Sequence, residues 1–341
     1  MSSPPYSALP RSAPRAWLAP LVPLYRLGLA LRERGFDSGR REAWALERPV
    51  VSIGNLSTGG AGKTPLTIAL ARGLAARGFY VDVLSRGYGR RSRLPARVRA
   101  DGSAEEFGDE PLLIARETGV PVYVAADRLE AGVMAESEGE AGSPAIHLLD
   151  DGFQHRQLYR DVDILLLNRR DWNDQLLPAG NLREELAATL RADGIAIPGE
   201  DADFAAELHA WLDERGWQGP VWKLHRRMNV PHVDGPVLAF CGIAHPEQFF
   251  AGLEAAGVRV VERIAFRDHH RYAAGDLERL KAAGQRANAV LMTTAKDAVR
   301  FQPVAGDLPF QVAPLRTEIE DEDAAVDWLI ERLREGSNQT E

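Results

Sequence analysis

The chain predicts an α/β protein: two α/β/α sandwich domains, the first built on a P-loop NTPase-type parallel sheet, joined by a two-stranded hinge. Three observations carry this. The apolar run Val50-Val51-Ser52-Ile53 feeds a glycine-rich turn that closes on Gly62-Lys63-Thr64. Apolar runs alternate with helical patterns in both halves of the sequence. A length of 341 residues exceeds the usual size of a single core.

The elements follow in order. Val50 to Leu56 reads as a buried strand and Thr64 to Arg77 as the helix after the glycine turn. Tyr80 to Leu84, Val120 to Ala125, Ala145 to Leu149, Val162 to Leu167 and Gly194 to Ile197 read as further strands. Glu110 to Thr118 and Arg128 to Glu136 read as intervening helices. The second half repeats the grammar without a phosphate loop. Val237 to Cys241, Val258 to Phe266 and Ala289 to Thr293 are its strands; His245 to Ala256, Gly275 to Gln285 and Asp297 to Phe301 are its helices. Val221 to Met228 and Phe310 to Ile319 are extended segments expected to pair as the hinge, before a last helix from Glu322 to Arg334. The expected boundaries are therefore 1–48, an N-terminal basic and apolar segment; 49–220, the nucleotide domain; 221–235, a hinge strand; 236–309, the smaller domain; and 310–341, the return strand and helix. Met1 to Pro14 and Gly336 to Glu341 carry the composition of disordered tails.

Charge is uneven. Residues 1 to 48 hold eight arginines against four acids, whereas the whole chain is −8. Trp17 to Leu31 is apolar but short, and is broken by two prolines and Arg26, so it cannot span a bilayer. It reads either as an amphipathic element at a membrane interface or as a helix packed on its own domain. Arg86, Arg90, Arg91, Arg93, Arg97 and Arg99 fall in fourteen residues without an acid, a run suited to phosphate or anionic lipid. The lone cysteine, Cys241, sits in a strand pattern and excludes an internal disulfide framework.

The residues Ser57, Thr58, Gly59, Gly60, Ala61, Gly62, Lys63 and Thr64 are the candidate nucleotide cradle. Backbone amides converge on phosphate oxygens, Lys63 adds a point charge, and the Thr64 hydroxyl suits Mg²⁺. Ser57 stands where the general pattern has glycine. The strand Ala145 to Leu149 ends in Asp150-Asp151, placed to reach a cation beside that cradle. His155 follows four residues later and is a candidate for phosphate or substrate contact. Arg86 lies in Ser85-Arg86-Gly87-Tyr88-Gly89, at the carboxyl edge where such sheets bind ligands. Asp109 opens a helix and by itself reads as an N-cap with Pro111 in the first turn; only the company of the other motifs makes it a candidate catalytic carboxylate. The adjacent His269 and His270 suit proton transfer better than shared metal binding, since neighbours on an extended chain face opposite ways. Asn168-Arg169-Arg170-Asp171 faintly echoes a guanine reader, which raises a GTP-dependent metallochaperone as a rival.

Together, Gly54-Asn55-Leu56 with Gly59 to Pro65, Ser85 to Gly89, Gly108-Asp109-Glu110-Pro111, Asp150 to His155, Leu177-Pro178-Ala179-Gly180 with Leu182-Arg183-Glu184, Phe266 to His270 and Thr293-Thr294-Ala295-Lys296-Asp297 resemble the tetraacyldisaccharide 4′-kinase family of lipid A synthesis. The resemblance runs from about Pro23 to the last helix, and Ser57 is at home in it. It implies ATP and Mg²⁺, and transfer of the γ-phosphoryl group to the 4′-hydroxyl of an acylated glucosamine disaccharide 1-phosphate. It also implies a peripheral position on the cytoplasmic face of the inner membrane, among its lipids; no nucleic acid and no required protein partner are expected. It puts a catalytic dyad on Asp109 with His269 or His270 and metal-handling carboxylates on Asp150, Asp151 and Glu184, with Arg183 beside them; Thr64 joins the metal set from the cradle, and Arg86, His155 and Arg183 are the candidate substrate contacts. Asn181 and Glu185 depart from the family's usual loop. A membrane-recruited nucleotide switch, hydrolysing without phosphorylating a small molecule, is the rival from another class.

Overall fold

The structure, a computed structural model, describes residues 15–59, 62–139 and 144–338. Gly60 and Ala61 of the cradle lie outside the described residues, as do Met1 to Pro14.

In chain order, a 3-10 turn (Ala16–Leu21) leads into α1 (Val22–Asp37). The first lobe continues with β1 (Val50–Asn55), α2 (Lys63–Ala76), β2 (Tyr80–Ser85), β3 (Ala96–Arg97), α3 (Ala104–Phe107), α4 (Asp109–Thr118), β4 (Val122–Val124) and α5 (Arg128–Glu138). Then come β5 (Ala145–Asp150), β6 (Val162–Leu166), α6 (Arg169–Trp172), β7 (Gly194–Pro198), α7 (Ala202–Asp213) and β8 (Val221–Met228). The second lobe holds β9 (Val237–Cys241), α8 (Pro246–Ala255), β10 (Val260–Ala265), α9 (Ala274–Ala287), β11 (Val290–Thr293), α10 (Ala295–Ala305) and β12 (Phe310–Val312). The chain then returns through β13 (Leu315–Ile319) and α11 (Glu322–Asn338).

Among the described residues the large sheet runs β13-β8-β7-β6-β1-β5-β2-β4-β3 and the small one β10-β9-β11-β12. Strands β8 to β4 of the large sheet are parallel, with β13 and β3 added antiparallel at its edges; the small sheet is wholly parallel. Near-continuous apolar strands are what helices on both faces require. Leu148 faces the side of α2 and α11, where Leu66, Leu70, Leu74, Val326 and Leu329 are buried. Leu149 faces the other side, against α5. The same alternation splits β9, with Leu238 and Phe240 toward Leu280 and Phe301, and Ala239 and Cys241 toward Phe249 and Leu253. Each such leucine taken from water contributes about 2 kcal/mol.

Two expectations need correction. The segment Phe310 to Ile319 is divided: Phe310–Val312 is an edge strand of the small sheet, and only Leu315–Ile319 pairs with β8. That pair is also the margin of the large sheet, because β8 hydrogen-bonds β7 on its other side. Gly336 to Asn338, read as part of a disordered tail, continue α11. α7 is an element beyond those expected from the sequence, with Asp201 capping it and Phe204, Leu208 and Leu212 repeating at helical spacing on its buried side.

Topology brings the site together. β1 and β5 are neighbours in register, Ile53 opposite Asp150, so the glycine turn after β1 and the carboxylates after β5 emerge side by side.

Candidate active site

Gly54 is the first requirement of the cradle. A Cβ there would fall 2.4 Å from Cβ of Phe153, so only glycine lets the Asp150–His155 segment lie against β1. Gly62 opens α2 with φ +98°, and a Cβ on it would sit 2.7 Å from Nη2 of Arg226, which leans over from β8. The turn is stitched to the loop carrying Arg183: Thr58 N donates to Asn181 O (2.8 Å), and Arg183 N to Leu56 O (2.7 Å). Ser57 is buried, where its carbonyl and hydroxyl both accept from Asn55 Nδ2 at 3.0 Å.

Lys63 Nζ donates to Asn55 Oδ1 (2.8 Å) and lies 3.5 Å from Asp151. Arg183 grips the same two residues, with Nη2 2.6 Å from Asn55 Oδ1 and 3.0 Å from Asp151 Oδ1, and Nη1 3.3 Å from Asp151 Oδ2. Asn55 is thus a hub of the site, one that the sequence motif contains but whose role only the side-chain contacts reveal. The low-dielectric surroundings alone would raise Asp151, but Lys63 and Arg183 outweigh them and lower it to about 2. Asp150 goes the other way. It is 3% exposed, and burial, followed by the nearby Glu110 and Asp151, pushes it up to about 7; Thr67 Oγ1 donates to it at 3.2 Å. Thr64 is buried in the first turn of α2.

Glu184 is placed differently from Asp150 and Asp151. Its carboxylate receives Arg191 Nη2 at 2.7 Å, and Arg191 stacks over Phe153 at 4.8 Å. Among the described residues no three His, Cys, Asp or Glu side chains cluster as a metal cage. His155 is mostly buried, 3.7 Å from Asp127, and burial together with Arg128 lowers it to about 4, so it is neutral at ordinary pH. Arg86 is exposed on the loop after β2. Several others of its arginine run are paired by neighbouring acids: Arg91 with Glu105, Arg97 with Glu138 and Arg99 with Glu106. The run is therefore partly neutralised rather than wholly open to anions.

Asp109 is the first residue of α4 and 6% exposed, with Gly108 at φ +93° in the cap position. Its Oδ2 meets Nδ1 of His269 at 2.9 Å, across the two lobes, and Arg300 Nε lies 3.8 Å away. Burial would raise Asp109, but the His269 hydrogen bond and the charges of Lys296 and Arg300 outweigh it and lower it. His269 is raised, first by Asp109. The two adjacent histidines are cleanly separated: His270 bonds Asp276 (2.9 Å) and stacks on Phe266 at 4.6 Å, within its own lobe. Glu110 and Lys296, 3.0 Å apart, form a second bond between lobes.

Asn168 and Asp171 serve each other. Asn168 Oδ1 caps α6, and its Nδ2 donates to Asp171 at 2.8 Å, a local arrangement that accounts for the tetrapeptide without a guanine base.

The sequence profile of a family described as tetraacyldisaccharide-1-P 4′-kinase matches residues 14–334. The chain is 42% identical over 328 residues to a tetraacyldisaccharide 4′-kinase of Koribacter versatilis, covering 91% of this chain and 97% of that one. It is 37% identical over 347 residues to the enzyme of that name from Chromobacterium violaceum, covering 94% and 96%. Among solved structures it is similar to the "apo" form of LpxK from Aquifex aeolicus in complex with ATP, with TM-score 0.74, 31% identity, and coverage of 94% and 99%.

Proposed function

Because the chain belongs to the tetraacyldisaccharide-1-P 4′-kinase family, it is an ATP-dependent kinase of lipid A biosynthesis acting on the 4′-hydroxyl of a tetraacyldisaccharide 1-phosphate, and we propose the following division of labour among its residues. The amides of the turn from Ser57 to Thr64 and the ammonium of Lys63 hold the β and γ phosphates of ATP. Asn55, Asp151 and Arg183 keep Lys63 aimed into the turn.

The donor set beside the turn fits Mg²⁺. Asp150 is a buried carboxylate whose ionised form burial disfavours, and Thr64 supplies a hydroxyl in the first turn of the helix that follows the glycine turn; hard oxygens of this kind are what the ion takes. Two protein ligands leave room for water and phosphate oxygens, as is usual where Mg²⁺ serves a nucleotide rather than a protein cage. Bound there, the ion would neutralise charge on the phosphates. Asp151 and Glu184 act more simply, as counter-charges that fix Lys63 with Arg183, and Arg191, respectively.

Asp109 and His269 handle the proton. With the Nδ1 hydrogen donated to Asp109, Nε2 of His269 accepts the proton of the 4′-hydroxyl as its oxygen bonds to phosphorus and the bond to the departing ADP oxygen breaks. Transfer of this kind depends on position and charge, and the dyad spans both lobes, so the lobes must stay closed for the base to exist. Closure also keeps water from the γ-phosphoryl group. Arg86 and neutral His155 contact the acceptor.

The protein docks peripherally on the cytoplasmic face of the inner membrane through its N-terminal helix. The inner side of α1 packs on the first lobe through Val22, Tyr25 and Leu29, and Tyr25 Oη donates to Arg183 O at 2.9 Å. Its outer side leaves Leu24 69% exposed with Leu27 and Leu31 beside it, and Trp17 of the preceding 3-10 turn is 80% exposed. No described helix is long and apolar enough to cross a membrane, and a one-sided apolar stripe is the pattern of a helix lying in the interface.

The observation that carries the reading is the 2.9 Å contact between Asp109 and His269 in a chain with a phosphate cradle. Incubation with radiolabelled ATP and the acylated disaccharide 1-phosphate tests it. A labelled lipid is expected, whereas free phosphate alone is what a nucleotide switch yields.

A further inference from the structure

We propose that Lys296 is a positioning residue for the dyad: docked on Glu110 of the opposite lobe, it holds an ammonium against Nε2 of His269 and keeps that nitrogen unprotonated between turnovers. The inference rests on reading His269 as the proton acceptor. It gives a role to the lysine of Thr293-Thr294-Ala295-Lys296-Asp297, which the proposed chemistry leaves unused.

Lys296 Nζ lies 3.0 Å from Glu110 Oε1 and 3.5 Å from His269 Nε2. An ammonium has three donors and no acceptor, so its approach to Nε2 is favourable only when that nitrogen presents its lone pair. The hydrogen then sits on Nδ1, where Asp109 accepts it at 2.9 Å. Were the ring an imidazolium, two cations would face each other at 3.5 Å, which disfavours the protonated ring. Asp109 and Lys296 therefore pull the imidazole in opposite directions, one stabilising its charged form and the other its neutral form.

The fold fixes this encounter through one buried node. Asp297, fully buried, receives Gly242 N (2.9 Å), Tyr272 Oη (2.8 Å) and Arg300 Nη2 (2.8 Å), while Thr294 caps the same helix start. Gly242 O in turn accepts from His269 N at 3.1 Å, so the turn bearing His269 and the first turn of α10 hang from the same residue. The charged and titratable groups that meet the imidazole are Asp109 from α4, Lys296 from α10, Asp268 from its own turn and Tyr88 from the loop after β2, with Glu110 of α4 behind Lys296 and Arg300 of α10 behind Asp109. Burial would strip Lys296 of its proton, but Glu110 and Asp109 outweigh it and raise the ammonium's pKa.

The test is the purified full-length enzyme with Lys296→Met, Lys296→Gln and Lys296→Arg. Removing the cation should move the acid limb of kcat/KM for the lipid acceptor upward by about one pH unit, because the ring then keeps its proton to higher pH. The ¹⁵N titration of His269, followed by NMR without substrates, should move by the same amount, while ATP affinity from calorimetry stays within about twofold. Lys296→Arg should return both curves to wild type. Kinetic and NMR curves unmoved in Lys296→Met and Lys296→Gln, or moved downward, overturn the proposal. If His269→Ala itself keeps wild-type turnover, the dyad reading fails instead, and the two failures are distinct.

Discussion

Asp109 and His269 stand 160 residues apart in the chain and meet at 2.9 Å, one at the start of α4 and the other on a turn after β10. His269 takes φ +55°, a left-handed backbone that directs its ring at the first lobe while His270 turns back into the second. The pair should therefore separate under mutation. His269→Ala is expected to lower kcat by about 10²- to 10⁴-fold with little change in ATP affinity. His270→Ala should leave kcat near wild type and cost about 1 kcal/mol of stability through the lost Asp276 bond and Phe266 stack. Steady-state kinetics with thermal melts decides it; equal loss of kcat and ATP affinity in His269→Ala would make that residue structural.

Lys63→Ala should reduce phosphoryl transfer by about 10³-fold or more, since it removes the positive charge at the head of the cradle. The variant should still fold, because Arg183 continues to neutralise Asp151. Near-parental transfer of label to the lipid would defeat the assignment.

Asp150 makes a prediction about stability and pH. Its folded value near 7 lies above the roughly 3.9 of an unfolded chain, so between about pH 4 and pH 7 the folded protein holds a proton that the unfolded one has released. Stability supplied by that proton is complete below pH 4 and is lost as pH rises through 7. Asp150→Asn, which cannot ionise, should match wild type near pH 4 and melt roughly 2–5 °C higher at pH 8 while losing activity. Adding Mg²⁺ with ATP should raise the melting temperature of wild type and not of the variant. A lower melting temperature at both pH values would contradict the assignment.

Leu24→Asp combined with Leu31→Asp should weaken flotation with anionic liposomes about tenfold or more, through loss of apolar area inserted at the interface. Both side chains are exposed, so the melting temperature should not change. Unaltered flotation would assign membrane contact to another surface.

The succession of β1, a glycine-rich segment and α2, the alternation of strands and helices, and the two-lobe order were all legible in the linear chain. They depend on local physics: glycines where amides must converge, apolar runs where a strand is buried on both faces, caps where a helix begins. Boundaries read from periodicity fall mostly within a residue or two of those in the structure, as at Tyr80–Ser85 and Arg128–Glu138. α7 escaped notice although its signal was present. The two-residue β3 and the division of Phe310 to Ile319 between two sheets had no clear local signal, because short edge strands are defined by their partners.

Tertiary structure decided the rest. Which histidine meets Asp109, where the Glu184 carboxylate turns, and what Lys296 touches all depend on side chains brought from distant segments. Neighbouring residues such as His269 and His270 have the same chemistry on paper, and only backbone direction separates them. Sequence thus determined which groups could bind phosphate and move a proton. The packing of the small lobe's α10 against α4 determined which of them meet, since charge and hydrogen bonding act over a few ångströms of space and not along the chain.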